Sequence, residues 1–281
     1  MIGDFIWTAF DYIGEASIGW CGYPLDKRIF PWNHANCGDL NLSGERRPQS
    51  YLRETLWSDA PVSHIVVTPP VPSFPLNPDK ADWSVWDFPD VVDHWNFPGY
   101  EGKKMTVSVY SNCEQVELFL NGESLGKQEN TADKKNTLVW EVPYAHGILK
   151  AVSYNKGGEV GTATLESAGK VEKIRLSADR TEIVADGNDL SYITLELVDS
   201  KGIRNQLAEE LVEFSIEGDA TIEGVGNANP MSIESFVANS RKTWRGSNLL
   251  VVRSGKSSGR IIVTAKVKAL PVASITITQK K

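Results

Sequence analysis

The spacing of apolar side chains divides the chain into three stretches. Residues 1–60 show little strict alternation, whereas residues 61–168 and 169–281 hold short segments in which apolar and polar positions alternate. Alternation with a period of two is the pattern of β-strands with one buried face. The sequence therefore predicts a mainly β protein with three domains at these boundaries.

The first stretch predicts a strand, a long loop and a helix. Residues 5–10 form a short, almost continuous apolar run, which is typical of a parallel strand buried on both faces. Pro48 suits the first turn of a helix over residues 48–57, and Pro61 ends that element. One such unit cannot bury its own apolar surface. We expect another domain or another chain to cover it, unless it is partly disordered.

The two alternating stretches each predict an immunoglobulin-like β-sandwich, because short strands recur at regular spacing. The clearest strands are predicted at residues 105–110, 116–120, 137–142 and 148–154 of the first stretch and at residues 173–176, 192–198, 212–216 and 260–265 of the second. Asn121-Gly122 is the dipeptide of a type I′ hairpin, whose two central residues need positive φ. Asp186-Gly187 and Lys201-Gly202 are further turn signals.

Charge and composition narrow the classes of function. The formal net charge of −7 repels a phosphate backbone and argues against nucleic-acid binding, while neutral ligands such as sugars remain open. Cys21, Cys37 and Cys113 lack the paired spacing of a zinc or redox motif, so neither a metal site nor a cofactor is predicted. No run approaches the roughly 20 apolar residues of a membrane span, and the amino terminus carries no signal-peptide pattern.

Two groups of residues near the amino terminus carry a family resemblance. They are Gly3-Asp4-Phe5-Ile6-Trp7 with Asp11-Tyr12-Ile13-Gly14-Glu15, and Cys37-Gly38-Asp39-Leu40 with Arg47-Pro48-Gln49-Ser50-Tyr51. The first resembles the last barrel strand of the β-galactosidases of glycoside hydrolase family 2, and the second resembles the loop and helix that follow it. The resemblance implies that residues 1–60 are the terminal strand-loop-helix unit of a TIM (β/α)8 barrel, incomplete by itself.

The rest of the chain resembles the carboxy-terminal part of the long bacterial form of this family. Residues 61–168 resemble an accessory immunoglobulin-like sandwich through residues 116–122 and Val142-Pro143-Tyr144. Residues 169–281 resemble a carboxy-terminal immunoglobulin- or invasin-like sandwich through Ala185-Asp186-Gly187 and residues 224–230. Within the last motif, Ala228 stands where a glycine is expected.

The resemblance implies a retaining glycosidase that acts on β-galactoside-containing oligo- or polysaccharides and is exported to the periplasm or cell surface. Retaining enzymes use an acid/base and a nucleophilic carboxylate. In the family these glutamates lie on barrel strands four and seven, before the part that resembles this chain, so no catalytic residue is named and the chain alone is predicted to be inactive. Trp7 matches the aromatic residue that lines the floor of the sugar pocket, a role that requires an intact barrel.

The long segment from Pro69 to Gly99 offers a second candidate site. Trp83, Trp86 and Trp95 lie in it among several aspartates. Together they would form an aromatic platform for a glycan, or they would attach a proline-rich loop to a sandwich or to the barrel. We favour attachment, because exposed tryptophan is costly unless it is used.

Three carboxylates near the opening motif, Asp11, Glu15 and Asp39, invite an acid/base interpretation. Carboxylates at strand ends and in loops are more often solvated, capping or salt-bridged, and we favour that structural role. Two other classes of function stay open beside the glycosidase. One sandwich binds carbohydrate and targets the enzyme to a polymer, or the sandwiches brace the rest of the barrel or form a homo-oligomer.

Overall fold

A computed structural model describes residues 5–16, 18, 30–74 and 88–281. The chain divides into two units, Met1–Ser167 and Ala168–Lys281. Both units contain paired β-sheets in which buried and exposed side chains alternate. The prediction of a mainly β chain is confirmed.

Helix α1 spans Pro48–Trp57 and follows the predicted bounds. Proline suits the first helical turn because the amide hydrogen that it lacks would have no partner there. Ser58 ends the helix in an extended conformation, with its N–H bonded to the carbonyl of Glu54 at 2.9 Å. Trp57 in the last turn is 79% exposed. The helix therefore buries one side and presents its end to solvent.

The first unit contains a sandwich of two antiparallel sheets, with strand orders β1-β2-β5 and β4-β3-β6-β7. The strands are β1 (Ser63–Val67), β2 (Lys104–Ser111), β3 (Gln115–Leu120), β4 (Glu123–Glu129), β5 (Thr137–Pro143), β6 (Ile148–Asn155) and β7 (Gly158–Glu166). In β5, Leu138, Trp140 and Val142 are buried, and the residues between them are exposed. Their apolar side chains join those of the facing sheet in one core.

The turns of this sandwich follow the sequence signals. Asn121 and Gly122 have φ of 52° and 88°, as the type I′ hairpin between β3 and β4 requires. Residues 88–99, the described end of the long Pro69–Gly99 segment, lie against the sandwich, where Val67 and Val92 exchange two backbone hydrogen bonds of 2.8 Å. This segment therefore contributes to the packing of the sandwich.

The second unit is a sandwich with strand orders β12-β14-β10-β8 and β13-β11-β15-β16-β9. Its strands are β8 (Lys173–Ala178), β9 (Glu182–Val184), β10 (Leu190–Val198), β11 (Leu211–Glu217), β12 (Ala220–Gly226), β13 (Ser240–Lys242), β14 (Ser247–Ser254), β15 (Gly259–Val267) and β16 (Ala273–Lys280). The described pairings are antiparallel except that of β9 with β16, which is parallel. The core is built from both sheets and includes Phe214, Leu250 and Ile261.

The predicted buried strand at residues 5–10 is not present in this structure. The segment makes an isolated bridge from Phe10 to Leu40, and Phe5 is 98% exposed. A continuous apolar run becomes a buried parallel strand only where strands pair with it on both sides. Among the described residues, this segment meets the 39–40 region on one side only.

Candidate functional site

The amino-terminal segment, residues 5–16, lies along the loop that precedes α1. The carbonyls of Thr8 and Ala9 accept hydrogen bonds from the amides of Asp39 (3.0 Å) and Leu40 (2.8 Å). The amide of Asp11 donates back to the carbonyl of Leu40 at 2.8 Å. These bonds hold the stretch that begins one residue after Trp7.

Gly38 explains why the Cys37-Gly38-Asp39-Leu40 motif contains a glycine. A Cβ atom at this position would lie 2.2 Å from the backbone nitrogen of Asp11. No side chain fits at that distance, so only glycine lets the loop approach the amino-terminal segment. The side chain of Gln49 then donates to the carbonyl of Gly38 at 2.6 Å and ties the loop to α1.

Trp7 presents a large part of its indole to solvent, with 56% of the residue exposed. Its Nε1–H donates to the hydroxyl of Tyr12 at 3.1 Å, and the two rings meet edge to face with centroids 6.1 Å apart. The Trp7-Thr8 peptide bond is cis. The exposed apolar residues Phe10 and Ile13 belong to the same segment. The edge of the Trp7 ring is therefore held while a large apolar area stays accessible.

Asp11 is buried and serves the structure of this region. Its Oδ1 accepts the amide N–H of Cys37 at 3.3 Å. Its Oδ2 lies 3.8 Å from a guanidinium nitrogen of Arg47 and 4.0 Å from Nδ1 of His34. Burying a carboxyl group is costly in free energy unless such partners compensate for the lost water. Asp11 thus links the segment to the loop, as expected for a paired rather than a catalytic carboxylate.

The other two candidate carboxylates are also engaged. Asp39 forms an ion pair with Arg53 of α1, and Glu15 accepts a hydrogen bond from the hydroxyl of Tyr12. Burial and the hydrogen bond to Glu15 raise the pKa of Tyr12 to about 12, so its hydroxyl keeps its proton at neutral pH. Burial, followed by the nearby Asp11 carboxylate, raises the pKa of the Cys37 thiol. No acid/base pair is formed by these carboxylates.

For Trp95 the structure contradicts the glycan platform and supports the favoured alternative, attachment of the long segment to the sandwich. This residue is fully buried in the core of the first sandwich, where its indole N–H donates to the carbonyl of Ala145 at 2.9 Å. Its ring meets those of Tyr144 and Phe97 edge to face. A ring enclosed in this way offers no face to a glycan, and it attaches the long segment to the sandwich. Trp83 and Trp86 lie outside the described residues.

Polar side chains that the sequence analysis does not identify join α1 to the first sandwich. Asn112 donates to the carbonyls of Ser58 (3.0 Å) and Ala60 (2.9 Å) and accepts the amide N–H of Val62 at 2.8 Å. Asn136 donates to the hydroxyl of Thr55 at 3.1 Å. The side chain of an asparagine in a turn usually hydrogen-bonds to the backbone of that same turn, so these contacts with another element could not be predicted from the sequence.

A stacked and charged cluster completes this junction. The rings of Tyr51 in α1 and His64 in β1 stack with centroids 4.4 Å apart. His64 Nε2 lies 2.9 Å from Glu54 Oε2, which also accepts from Arg46 at 2.6 Å. Burial lowers the pKa of His64. Burial would raise the pKa of Glu54, but hydrogen bonds from Arg46 and His64 hold it below its ordinary value.

The same junction borders a cavity of about 230 Å³. Its lining includes Ser63 and Ser153, whose hydroxyl oxygens lie 2.5 Å apart, and Ser63 also donates to the hydroxyl of Ser111 at 2.8 Å. Because these hydroxyls hydrogen-bond to one another, they already have partners, and we assign the cavity to the junction and not to a ligand site.

Within the described ranges, no group of three or more His, Cys, Asp or Glu residues is placed to hold a metal ion. None of the helices in the described part of the chain has the length and apolar character that a membrane span needs.

Each of the two sandwiches contains a stretch that matches a known domain family. Residues 174–276 match the glycoside hydrolase family 2 C-terminal domain 5. Residues 102–161 match a domain of unknown function (DUF4982). The match over the second sandwich gives the class of protein, since it is a carboxy-terminal domain found in glycoside hydrolases.

Similar proteins extend the match to the whole chain. The chain is 31% identical to Beta-galactosidase BoGH2A of Bacteroides ovatus over 99% of its residues and spans 28% of that protein. It is 29% identical to a putative beta-glucuronidase of Formosa agariphila over 82% of its residues and spans 19% of that protein. The chain belongs to glycoside hydrolase family 2 and corresponds to a carboxy-terminal part of its members.

Solved structures agree. A family 2 member from Bacteroides cellulosilyticus is 89% identical over 99% of this chain, with a TM-score of 0.87, and the match spans 34% of that structure. A beta-glycosidase from Bacteroides vulgatus is 26% identical with a TM-score of 0.78, over 97% of this chain and 30% of the other. The chain therefore spans between 19% and 34% of the length of these four proteins.

Proposed function

We propose that this chain is the carboxy-terminal portion of a retaining β-galactosidase-type glycosidase, in which Trp7 lines the floor of the sugar pocket. The observation that carries the proposal is the exposed indole of Trp7, held at its edge by Tyr12 on a segment anchored by the following loop. Residues 1–60 act as the last strand-loop-helix unit of the barrel, and residues 61–168 and 169–281 act as its accessory sandwiches.

The chemistry of the ring supports this role. A pyranose presents apolar C–H groups that pack on an indole face, and stacking on aromatic rings contributes free energy beyond the buried area. Phe5, Phe10 and Ile13 are further exposed apolar residues of the same segment. In an intact barrel, the neighbouring strands would cover these side chains and leave the Trp7 face to the sugar.

The state of the carboxylates supports inactivity of the chain alone. Retaining hydrolysis needs two carboxyl groups about 5–5.5 Å apart across the scissile bond. Asp11, Glu15 and Asp39 are each committed to an arginine, a backbone amide or a tyrosine hydroxyl. We place both catalytic carboxylates in parts of the barrel that this chain does not supply.

A β-galactoside is the substrate that we propose for the complete enzyme. The relative named a β-galactosidase matches 99% of this chain, whereas the two relatives named β-glucuronidase or putative β-glucuronidase with the next matches cover 82% and 70% of it. A panel of aryl β-galactosides and β-glucuronides tests this choice of sugar in an enzyme whose barrel is complete.

The experiment compares the chain alone with a chimera. In the chimera, residues 1–281 replace the matching part of the 89% identical Bacteroides cellulosilyticus protein. We expect no hydrolysis by the chain alone and hydrolysis of aryl β-galactosides by the chimera. Trp7→Ala should lower kcat/KM of the chimera roughly 10- to 100-fold, the range for loss of a stacking side chain. Trp57→Ala, which removes another exposed tryptophan, should leave kcat/KM unchanged.

Two results would contradict the proposal. Turnover by the chain alone would mean that it holds a complete site. An active chimera that is insensitive to Trp7→Ala would remove Trp7 from the sugar pocket.

A second function is favoured by the junction at α1. Asn112, Asn136, His64 and Asp93 all lie on the sandwich side and bond or stack with the helix or with the residues that follow it. We propose that the first sandwich braces this helix and thereby the loop and segment in front of it. Faster hydrogen exchange of residues 48–60 in Asn112→Ala would support this role, and unchanged exchange would contradict it.

A further inference from the structure

We infer that Tyr12 and Glu15 are positioning residues for Trp7, forming a relay that fixes the orientation of its indole ring. The inference deepens the proposed function, because a sugar platform must present its face in a defined direction. It concerns the geometry of the ring itself, so it can be tested without any sugar.

The relay has a defined direction of hydrogen bonding. The Nε1–H of Trp7 donates to the hydroxyl oxygen of Tyr12 at 3.1 Å, and the hydroxyl of Tyr12 donates to a carboxylate oxygen of Glu15. A tyrosine hydroxyl has one hydrogen and two lone pairs, so it can do both at once. A hydroxyl that donates to a charged acceptor is polarised and becomes a better acceptor in turn.

The backbone holds the middle of the relay in place. The carbonyl of Tyr12 accepts the amide N–H of Ala35 at 2.9 Å, and Gly14 donates to the carbonyl of Asn33 at 2.9 Å. These two bonds lie on either side of Ile13, which forms a bridge with His34. Tyr12 is therefore anchored to the loop, while Trp7, five residues earlier, depends on the side-chain contact for its orientation.

The geometry limits the motion of the indole. Only one edge of the ring carries a hydrogen-bond donor, and that edge faces Tyr12 in a perpendicular contact. Rotation of the ring about its side-chain torsions would break both the hydrogen bond and the edge-to-face contact. Among the described residues, none forms a directional bond with the ring faces, which leaves them for an apolar ligand surface.

The test follows the indole N–H of Trp7 by NMR in the full chain labelled with ¹⁵N-tryptophan. Its signal is assigned by its absence in Trp7→Phe. In Tyr12→Phe we expect this signal to shift and its exchange with water to become about fivefold faster or more, as for the loss of one hydrogen bond. Glu15→Gln keeps an acceptor for the tyrosine hydroxyl and should change the signal less than Glu15→Ala does.

The controls separate positioning from folding and from sugar binding. Tyr100→Phe removes a hydroxyl in the first sandwich and should leave the Trp7 signal in place, while the other indole signals report that each variant is folded. A Trp7 signal unchanged by Tyr12→Phe, or changed equally by Tyr100→Phe, would overturn the inference. The proposed function fails by a different result, an active chimera that tolerates Trp7→Ala.

Discussion

Asn112→Ala should loosen helix α1 from the first sandwich. The side chain makes three hydrogen bonds of 2.8–3.0 Å to the backbone that leaves the helix, at Ser58, Ala60 and Val62. One side chain thus fixes the path of the chain from the helix into β1. If the sandwich braces the helix, loss of these bonds must appear as local opening of residues 48–60.

The magnitude follows from the number of bonds and their exposure. A typical hydrogen bond contributes a net of about 0.5–1.5 kcal/mol. Asn112 is half-buried, so water replaces part of what is lost. We therefore expect a loss of about 1.5–2.5 kcal/mol, which corresponds to roughly 10- to 70-fold more frequent opening.

Hydrogen exchange read by mass spectrometry on peptides from residues 48–60 measures this opening. Asn112→Asp is a sharper variant, because it keeps the shape and one acceptor but replaces the amide donor with an oxygen that faces two carbonyls. It should accelerate exchange at least as much as Asn112→Ala. The matched control is Asn188→Ala, since Asn188 is exposed and its side chain makes no hydrogen bond within the described part of the chain. Exchange within twofold of wild type in Asn112→Ala would refute the reasoning.

Three further predictions concern the sandwiches. Burial alone would raise the pKa of Asp199, but hydrogen bonds from backbone amides at 2.8–3.0 Å hold it below its ordinary value of about 4. The ionised form therefore stabilises the second unit above pH 4, and this stability is lost as the pH falls through the lowered pKa. Asp199→Asn should cost about 1–3 kcal/mol in urea unfolding at pH 7 and reduce the pH dependence below pH 4; an unchanged acid transition would contradict this. Ala269 is exposed and has a φ of 65°, which glycine adopts more easily, so Ala269→Gly should raise the free energy of unfolding of the second sandwich by about 0.5–1 kcal/mol in thermal unfolding. The control Ala132→Gly, at an exposed alanine without positive φ, should lower the free energy of unfolding of the first sandwich by a similar amount. Trp95→Ala should cost about 3–5 kcal/mol by opening a cavity in the core, against less than about 0.5 kcal/mol for Trp57→Ala, and equal effects in denaturant titrations would disprove the core assignment.

Strands with one buried face could be predicted from the sequence because apolar and polar residues alternate along them. In β5, the apolar residues Leu138, Trp140 and Val142 alternate with the exposed ones, and the predicted bounds agree with the structure to within a residue. Two strands without a clear alternation, β4 and β14, are not predicted. β4 (Glu123–Glu129) lies at a sheet edge and buries almost nothing, and β14 (Ser247–Ser254) carries a continuous run rather than an alternation.

Prediction of the candidate site from the sequence fails for a different reason. Residues 5–10 have the composition of a buried strand, but burial depends on strands that must come from elsewhere. Trp7 stands out only through the family motif, and its hydrogen bond to Tyr12 depends on how residues 8–14 fold onto the loop. Gly38 belongs to the family motif, but the reason for a glycine there is a close approach to the backbone of Asp11 that leaves no room for a Cβ, and this approach depends on the tertiary structure.

The junction at α1 also bears on how such proteins can be recombined. A cut at residue 60 would separate the sandwich from the residues to which Asn112, Asn136 and His64 bond, and those polar groups would then face solvent or a foreign surface. A cut ahead of Arg46 would instead keep the helix, the Arg46–Glu54 ion pair and their contacts with the sandwich in one piece. The unit that can be exchanged with the first sandwich therefore includes the helix and does not begin at the first strand. Chimeric enzymes joined at this boundary should keep the contacts between helix and sandwich.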